Sequence, residues 1–231
     1  MFVRSLRPLL VLALALGFCL PPLAAGVPEL RQPVSVWAAW LGPFPQQGSD
    51  AAKADLAIQM WQQRTRTPEE VARAQDEVNL RLDLLSRAAG RDLAHTLPRT
   101  QALLAGARST LGRLSWSLKL HYGRLRPFNS EPLIQPAVYR EPSFSCPSGH
   151  ASTGMLYAAL LARLAPERRE ALLERGRQIG NDRVLGGVHW PSDVVAGQRL
   201  GEAVAEQWLA DPAHLAELEA VRAAEWRPGG H

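Results

Sequence analysis

The chain has 231 residues, 46% of them hydrophobic, which is enough to bury one core of its own. Its formal charge of +4 sets 26 basic against 22 acidic residues. It shows no run of like charges, so a nucleic-acid footprint and a polybasic membrane patch are both excluded. Only Lys53 and Lys119 are lysines, against 24 arginines, so a lysine at any one position is unexpected.

The first 25 residues have the pattern of an export signal. Arg4 and Arg7 precede an apolar run from Leu9 to Leu20, and Pro21, Pro22 and the small residues Ala24 to Gly26 follow. That run is 12 residues long, short of the ~20 that a spanning helix needs. A membrane anchor and a lipoprotein site at Cys19 are the other readings; bulky Phe18 opposes the second. Cleavage after Ala25 or Gly26 is expected. The domain then occupies residues 26–231, periplasmic or secreted, with no integral membrane segment. Cleavage also removes Cys19, leaving Cys146 alone and no intrachain disulfide.

Pro28, Pro33, Pro43 and Pro45 predict an irregular lead-in, docked by Trp37, Trp40 and Phe44. Ser49 and Asp50 predict the cap of a helix reaching about Gln63. Thr67, Pro68 and Glu70 form a cap, a first helical residue and a capping box. Val71, Ala74, Val78, Leu82 and Leu85 then recur at helical spacing. Another helix is expected from about Thr100 to His121, with Leu103, Leu104, Ala107, Leu111, Leu114 and Leu118 on its apolar face and Gly123 at its end. Arg124 to Pro147 contains prolines and has no period; a loop this long inside a domain is often functional. Helices are expected again over Gly149–Leu164, Pro166–Ile179, Pro191–Leu209 and Pro212–Trp226, before a frayed RPGGH tail. With no strand pattern, repeat or linker, the fold class is all-α and one domain.

Three short segments carry groups suited to an anion. Lys119 falls near a helix end, and Arg126 precedes Pro127, which pushes it out of helical geometry. The two can converge on one point, or be ordinary solvated cations. In PSGH, Gly149 lets the backbone turn its amides outward ahead of a buried helix whose N-terminus attracts phosphate-like anions. Ser148 adds a hydroxyl and His150 an imidazole; a plain helix cap is the alternative. In RVLGGVHWPSD, Arg183 offers a planar fork for a tetrahedral oxyanion. His189 precedes a helix opened by Pro191, with Asp193 in its first turn. A carboxylate on one imidazole nitrogen fixes the tautomer and makes the other nitrogen a better nucleophile. A packed histidine with a helix-dipole aspartate is the bland reading. A metal site is disfavoured because the surrounding cations would repel the ion.

Together these segments resemble the type 2 phosphatidic acid phosphatase (PAP2) superfamily, whose signature is K-x6-R-P, P-S-G-H and S-R-x5-H-x3-D. Here it runs Lys119 to Arg126-Pro127, then Pro147-Ser148-Gly149-His150, then Arg183, His189 and Asp193. Phe128, GVHWPSDVVAG and DPAHLAELEAV are similar to the soluble bacterial class A acid phosphatases, so the likeness covers about residues 55 to 225. It implies a helical bundle of the PAP2/haloperoxidase type. It also implies an exported, metal-independent acid phosphatase acting on small-molecule phosphate monoesters, without cofactor, as a homodimer or larger.

The resemblance further implies that His189 attacks phosphorus to form a phosphohistidine and that Asp193 orients it. His150 would protonate the leaving alcohol and then activate water. Lys119, Arg126, Arg183, Ser148 and the Gly149 amide would hold the non-bridging oxygens. One departure stands out: Asp182 occupies the place of the serine before Arg183, putting a carboxylate beside the expected anion. A vanadium-dependent haloperoxidase shares the signature but is a much longer chain. A lipid phosphatase in the bilayer would need spanning helices. A non-catalytic phosphate- or oxyanion-binding protein would need neither His189 nor Asp193. His95, His214 and His231 are expected at the surface, His121 and Tyr122 in ordinary packing, Cys146 as a buried filler, and Gly197 and Gly201 at close helix contacts.

Overall fold

Proline and threonine caps set most of the helix starts. A computed structural model describes residues 26–227; the expected signal segment with Cys19, and the last four residues with His231, lie outside them. Among the described residues the chain forms ten α-helices and no strand. They are α1 (Val34–Leu41), α2 (Asp50–Thr65), α3 (Pro68–Asp76), α4 (Asp83–Ala89), α5 (Pro98–Tyr122), α6 (Pro127–Ser130), α7 (Gly149–Leu164), α8 (Arg169–Leu185), α9 (Pro191–Leu209) and α10 (Pro212–Glu225). A 3-10 turn, Pro166–Arg168, precedes α8. No helix among the described residues is long and apolar enough to cross a membrane.

The apolar run of α7 makes it the central helix, buried along most of its length and packed between α8 and α9 with α5 across it. Glycines permit the close approach: a Cβ on Gly197 of α9 would lie 2.5 Å from the Ser148 carbonyl oxygen, and one on Gly176 of α8 would lie 2.9 Å from the Cβ of Ala158. A Cβ on Gly201 would likewise run into the Ser152 carbonyl. Gly197 thus holds the start of α9 against the PSGH turn. The Ser148 amide donates to the Asp193 carbonyl there at 3.0 Å.

Thr67 makes the expected capping box with Glu70, and Gly123 ends α5 in the left-handed conformation at φ 59°. Four details depart from the sequence reading. The lead-in contains α1, which buries Trp37, Ala38 and Leu41; the flanking prolines hid a short apolar helix. The helix begun at Pro68 stops at Asp76, and α4 starts afresh at Asp83. Tertiary bonds win there: Glu77 is buried against arginines of α8, and the carbonyls of Glu77 and Val78 turn toward His150. Third, α8 continues to Leu185, which places Arg183 in its last turn, and Gly187 (φ 78°) turns the chain immediately after. Finally, His214 is partly buried and stacks on Trp208, with ring centroids 3.5 Å apart, because α10 folds back over the end of α9. His95 is exposed, as expected. The Tyr122 hydroxyl reaches the carbonyls of Ala38 and Gly42 and ties α5 to α1.

Candidate active site

The three signature segments meet in one cavity of about 160 Å³, lined by Lys119, Arg126, Gly149, His150, Arg183 and His189. Each side chain is held by its own local structure. Lys119, in the last turn of α5, gives hydrogen bonds to the carbonyls of Phe144 (2.5 Å) and Ser145 (3.3 Å). Burial, helped by Arg126, pushes its ammonium down to about 8. Arg126 donates to the Ser143 carbonyl (2.7 Å), the Val188 carbonyl (2.9 Å) and the Ser143 hydroxyl (3.1 Å). The guanidinium of Arg183 donates to the Ala74 carbonyl (2.6 Å) and to Glu77 Oε2 (3.1 Å). Its buried Nε has no acceptor among the described residues. A buried donor left unpaired is costly in a protein and is suited to an anion.

Ser148 is fully buried and caps α7, its Oγ accepting from the Ala151 amide at 3.4 Å. The hydroxyl expected at the anion thus sits beneath the turn, outside the cavity lining. Gly149 and His150 occupy the open first turn of α7, and nothing lies within 4 Å of where a Gly149 Cβ would be. The first-turn amides of such an end have no intrahelical acceptor and face an anion favourably.

The two histidines are fixed in different tautomers. Arg126 Nη1, which can only donate, lies 3.2 Å from His189 Nε2, so Nε2 presents its lone pair. The proton is then on Nδ1, which faces Asp193 Oδ2 at 3.5 Å and Ser145 Oγ at 3.4 Å. His150 is the reverse: its Nε2 lies 3.1 Å from the carbonyls of both Glu77 and Val78, so that nitrogen carries the proton and Nδ1 is free. Burial, joined by Arg183, lowers His150 to about 4, against the opposing pull of its two carbonyl partners. Burial lowers His189 to about 3; the Asp193 hydrogen bond and charge pull it back up, while Arg126 and Lys119 push it further down. Burial would raise the carboxyl of Asp193, yet His189, Arg124 and Ser145 hold it below the usual range.

Sequence reasoning missed the residues behind this layer. Arg124 is buried and bridges Asp193 Oδ1 (2.6 Å) and Asp55 Oδ2 (2.9 Å) while also donating to Ser192 Oγ (2.7 Å). Asp193 Oδ2 accepts from the Ser145 hydroxyl and from the Trp190 amide at 2.9 Å. Glu77 pairs with Arg183 and, at 2.7 Å, with Arg175. Asp182 turns away from the anion cavity: its two oxygens take Arg73 Nε (2.8 Å) and Nη2 (2.9 Å). The carboxylate that replaces the serine therefore has its own cation. Cys146 is buried and burial pushes its thiol up, in keeping with a packing role.

Two neutral histidines, His189 buried and His150 half-buried, set a pH dependence of stability. The lowered pKa of His150 means that, between its ordinary 6.5 and about 4, the unfolded chain binds more protons than the folded one. Stability is therefore full above about pH 6.5 and is lost as pH falls toward 4. For His150 alone this amounts to about 3 kcal/mol, and His189 acts in the same direction. Melting followed from pH 7 to pH 4 should show this decline, and saturating inorganic phosphate should reduce it by letting both rings charge. A melting temperature flat across that window, with or without phosphate, would contradict neutral imidazoles at these two positions.

Among the described residues, an all-helical bundle thus brings two oppositely oriented histidines, three cations and a helix N-terminus to one small cavity, a set of groups suited to an oxyanion. Comparison with known proteins narrows this. Residues 101–211 match the model of the PAP2 superfamily. The chain is 36% identical over 112 residues to a non-specific acid phosphatase of Salmonella typhimurium, covering 46% of this chain and 44% of that protein. It is 26% identical over 196 residues to a non-specific acid phosphatase of Providencia stuartii, covering 80% of this chain and 78% of that one. In its fold it resembles the transmembrane PAP2 type phosphatidylglycerolphosphate phosphatase of Bacillus subtilis, with a TM-score of 0.54 at 21% identity over 84% of this chain and 95% of that one. The alignment to the Salmonella protein spans less than half the length of that relative. Residues 101–211 thus carry the match to the PAP2 superfamily.

Proposed function

We propose that this protein is an exported, metal-independent acid phosphatase that hydrolyses phosphate monoesters through a phosphohistidine at His189. The observation that carries this reading is the His189 lone pair: Nε2 is unprotonated and sits in the wall of a cavity ringed by Lys119, Arg126 and Arg183. Those three cations neutralise the phosphoryl oxygens, and the free Nε of Arg183 and the Gly149 amide take hydrogen-bonding places on them. Nε2 attacks phosphorus, the ester P–O bond breaks, and its electron pair leaves with the alkoxide. His150 supplies the alkoxide's proton from Nδ1, because its Nε2 proton stays with the two carbonyls. In the second half, Nδ1 takes a proton from water, the hydroxide forms a P–O bond, and the P–N bond breaks to restore the Nε2 lone pair. Asp193 is a positioning residue, holding the Nδ1 proton of His189 throughout. The acid phosphatases among the relatives support the reaction class. The N-terminal sequence pattern supports export.

The test is hydrolysis of p-nitrophenyl phosphate by the mature chain in EDTA from pH 3 to 7, with acid-labile phosphate trapped on the protein by rapid quenching. Turnover in EDTA with label on His189 is the expected result. Turnover that EDTA abolishes would overturn the metal-free reading. Bromide oxidation with vanadate in place of ester hydrolysis would favour a haloperoxidase. Phosphate binding without either reaction would favour a binding protein. In the free enzyme, protonated His150 is scarce above about pH 4, so kcat/KM should fall as pH rises beyond it. A bound phosphate dianion offsets the cations, so the fall in kcat should come at higher pH.

A further inference from the structure

The anion cavity adjoins a second hollow of about 380 Å³, with Lys119, Gly149, His150 and Val78 in the lining of both. His189 lines only the first; His150 lines both. In a displacement at phosphorus the nucleophile and the leaving oxygen lie roughly in line. A group protonated by His150 and departing away from His189 is therefore directed into the second hollow.

That hollow is carved out of α5 by its sequence. Arg108, Gly112, Trp116 and Lys119 recur at helical spacing on one face. Gly112 and Ser115 hollow the middle of the stripe, and nothing lies within 4 Å of where a Gly112 Cβ would be. Leu80 and the hydroxyl-bearing Thr153 face it from the other side. Trp116 stands one turn from Lys119 and is 55% exposed, a large ring facing open space. The volume is that of a small-molecule site. The walls set the exposed indole of Trp116 and the polar groups of Asn79, Arg108 and Thr153 beside Val78, Leu80 and Leu111, a mixture that fits a planar ring carrying polar substituents better than a hydrocarbon chain.

We propose that this hollow is a leaving-group subsite selecting phosphate esters whose alcohol carries a planar aromatic ring or base, with Trp116 as the stacking platform and Gly112 as the space that admits it. The inference rests on the phosphatase reading above. The test compares adenosine 5′-phosphate with ribose 5-phosphate, two esters with the same kind of leaving oxygen that differ in the base. The parent should favour the adenosine ester in kcat/KM by about tenfold, the scale of one base–aromatic stack. Trp116→Ala should bring the ratio close to one, chiefly through KM for the adenosine ester, and leave ribose 5-phosphate within about twofold. Gly112→Leu, on an exposed helical position with open space above it, should lower turnover of the adenosine ester selectively. A parental ratio near one, or a ratio that neither variant changes, would overturn the subsite while leaving the phosphatase intact. Failure to hydrolyse either ester would overturn the phosphatase reading and the subsite with it.

Discussion

His189→Ala is expected to lower kcat for phosphate-ester hydrolysis by at least about 10⁴-fold, the scale seen when a covalent nucleophile is removed. It should leave the affinity for inorganic phosphate or vanadate within a few fold. The two readouts separate because they rest on different groups. In the proposed site phosphate would be held by Lys119, Arg126 and Arg183, and each keeps its own tether without the imidazole: the Phe144 and Ser145 carbonyls, the Ser143 and Val188 carbonyls, and Ala74 with Glu77. The nucleophilic lone pair belongs to His189 alone. Vanadate binding can be followed by calorimetry and turnover with p-nitrophenyl phosphate. A variant hydrolysing at the parental rate would sink the nucleophile assignment. Loss of anion binding together with turnover would show that the ring holds the cations in place, and would move the chemistry elsewhere.

Arg124→Met should be the most destabilising change at the site outside the anion cavity. It would leave Asp55 and Asp193, both buried, without the cation that bridges them. Removing one partner of a buried pair costs about 3–5 kcal/mol, because a charge remains that nothing compensates. Arg124 is also one of the causes that keep Asp193 ionised, so the orientation of His189 should suffer in any variant that folds. Two measurements check this. Urea denaturation should give the stability loss, and adding Asp55→Asn should recover part of it by removing one stranded carboxylate. The acid limb of kcat should shift to higher pH as Asp193 becomes easier to protonate, and Arg124→Lys should restore that limb in part. A stability change under 1 kcal/mol in Arg124→Met would refute the bridging role.

How much of this was legible depended on range. Thr67, Pro68, Pro191, Pro212 and Gly123 act on their own neighbours, and the helix boundaries they predict agree with the structure to within a residue or two. The site segments were legible for the same reason: fixed spacings within short stretches. The break after Asp76 was not, because Val71, Ala74, Val78, Leu82 and Leu85 keep helical spacing through it. What stops the helix is Glu77 meeting Arg175 and Arg183 about a hundred residues away. Arg124 was invisible as one arginine among 24; its partner Asp55 lies 69 residues earlier. Asp182 could be flagged from sequence, but only the fold supplies Arg73. Local caps read from sequence; the pairing of distant charges does not.

The cavity groups proposed for the chemistry lie between Lys119 and Asp193, inside the segment matched to the superfamily. The carboxylates that neutralise the buried arginines behind them, Asp55 and Glu77, come from α2 and from the break after α3, ahead of that segment. Part of the charge balance behind the reacting groups is thus written outside the stretch that carries them. Substitutions in the first hundred residues can retune the charge balance around His150 and His189, and with it the working pH, without touching a signature residue.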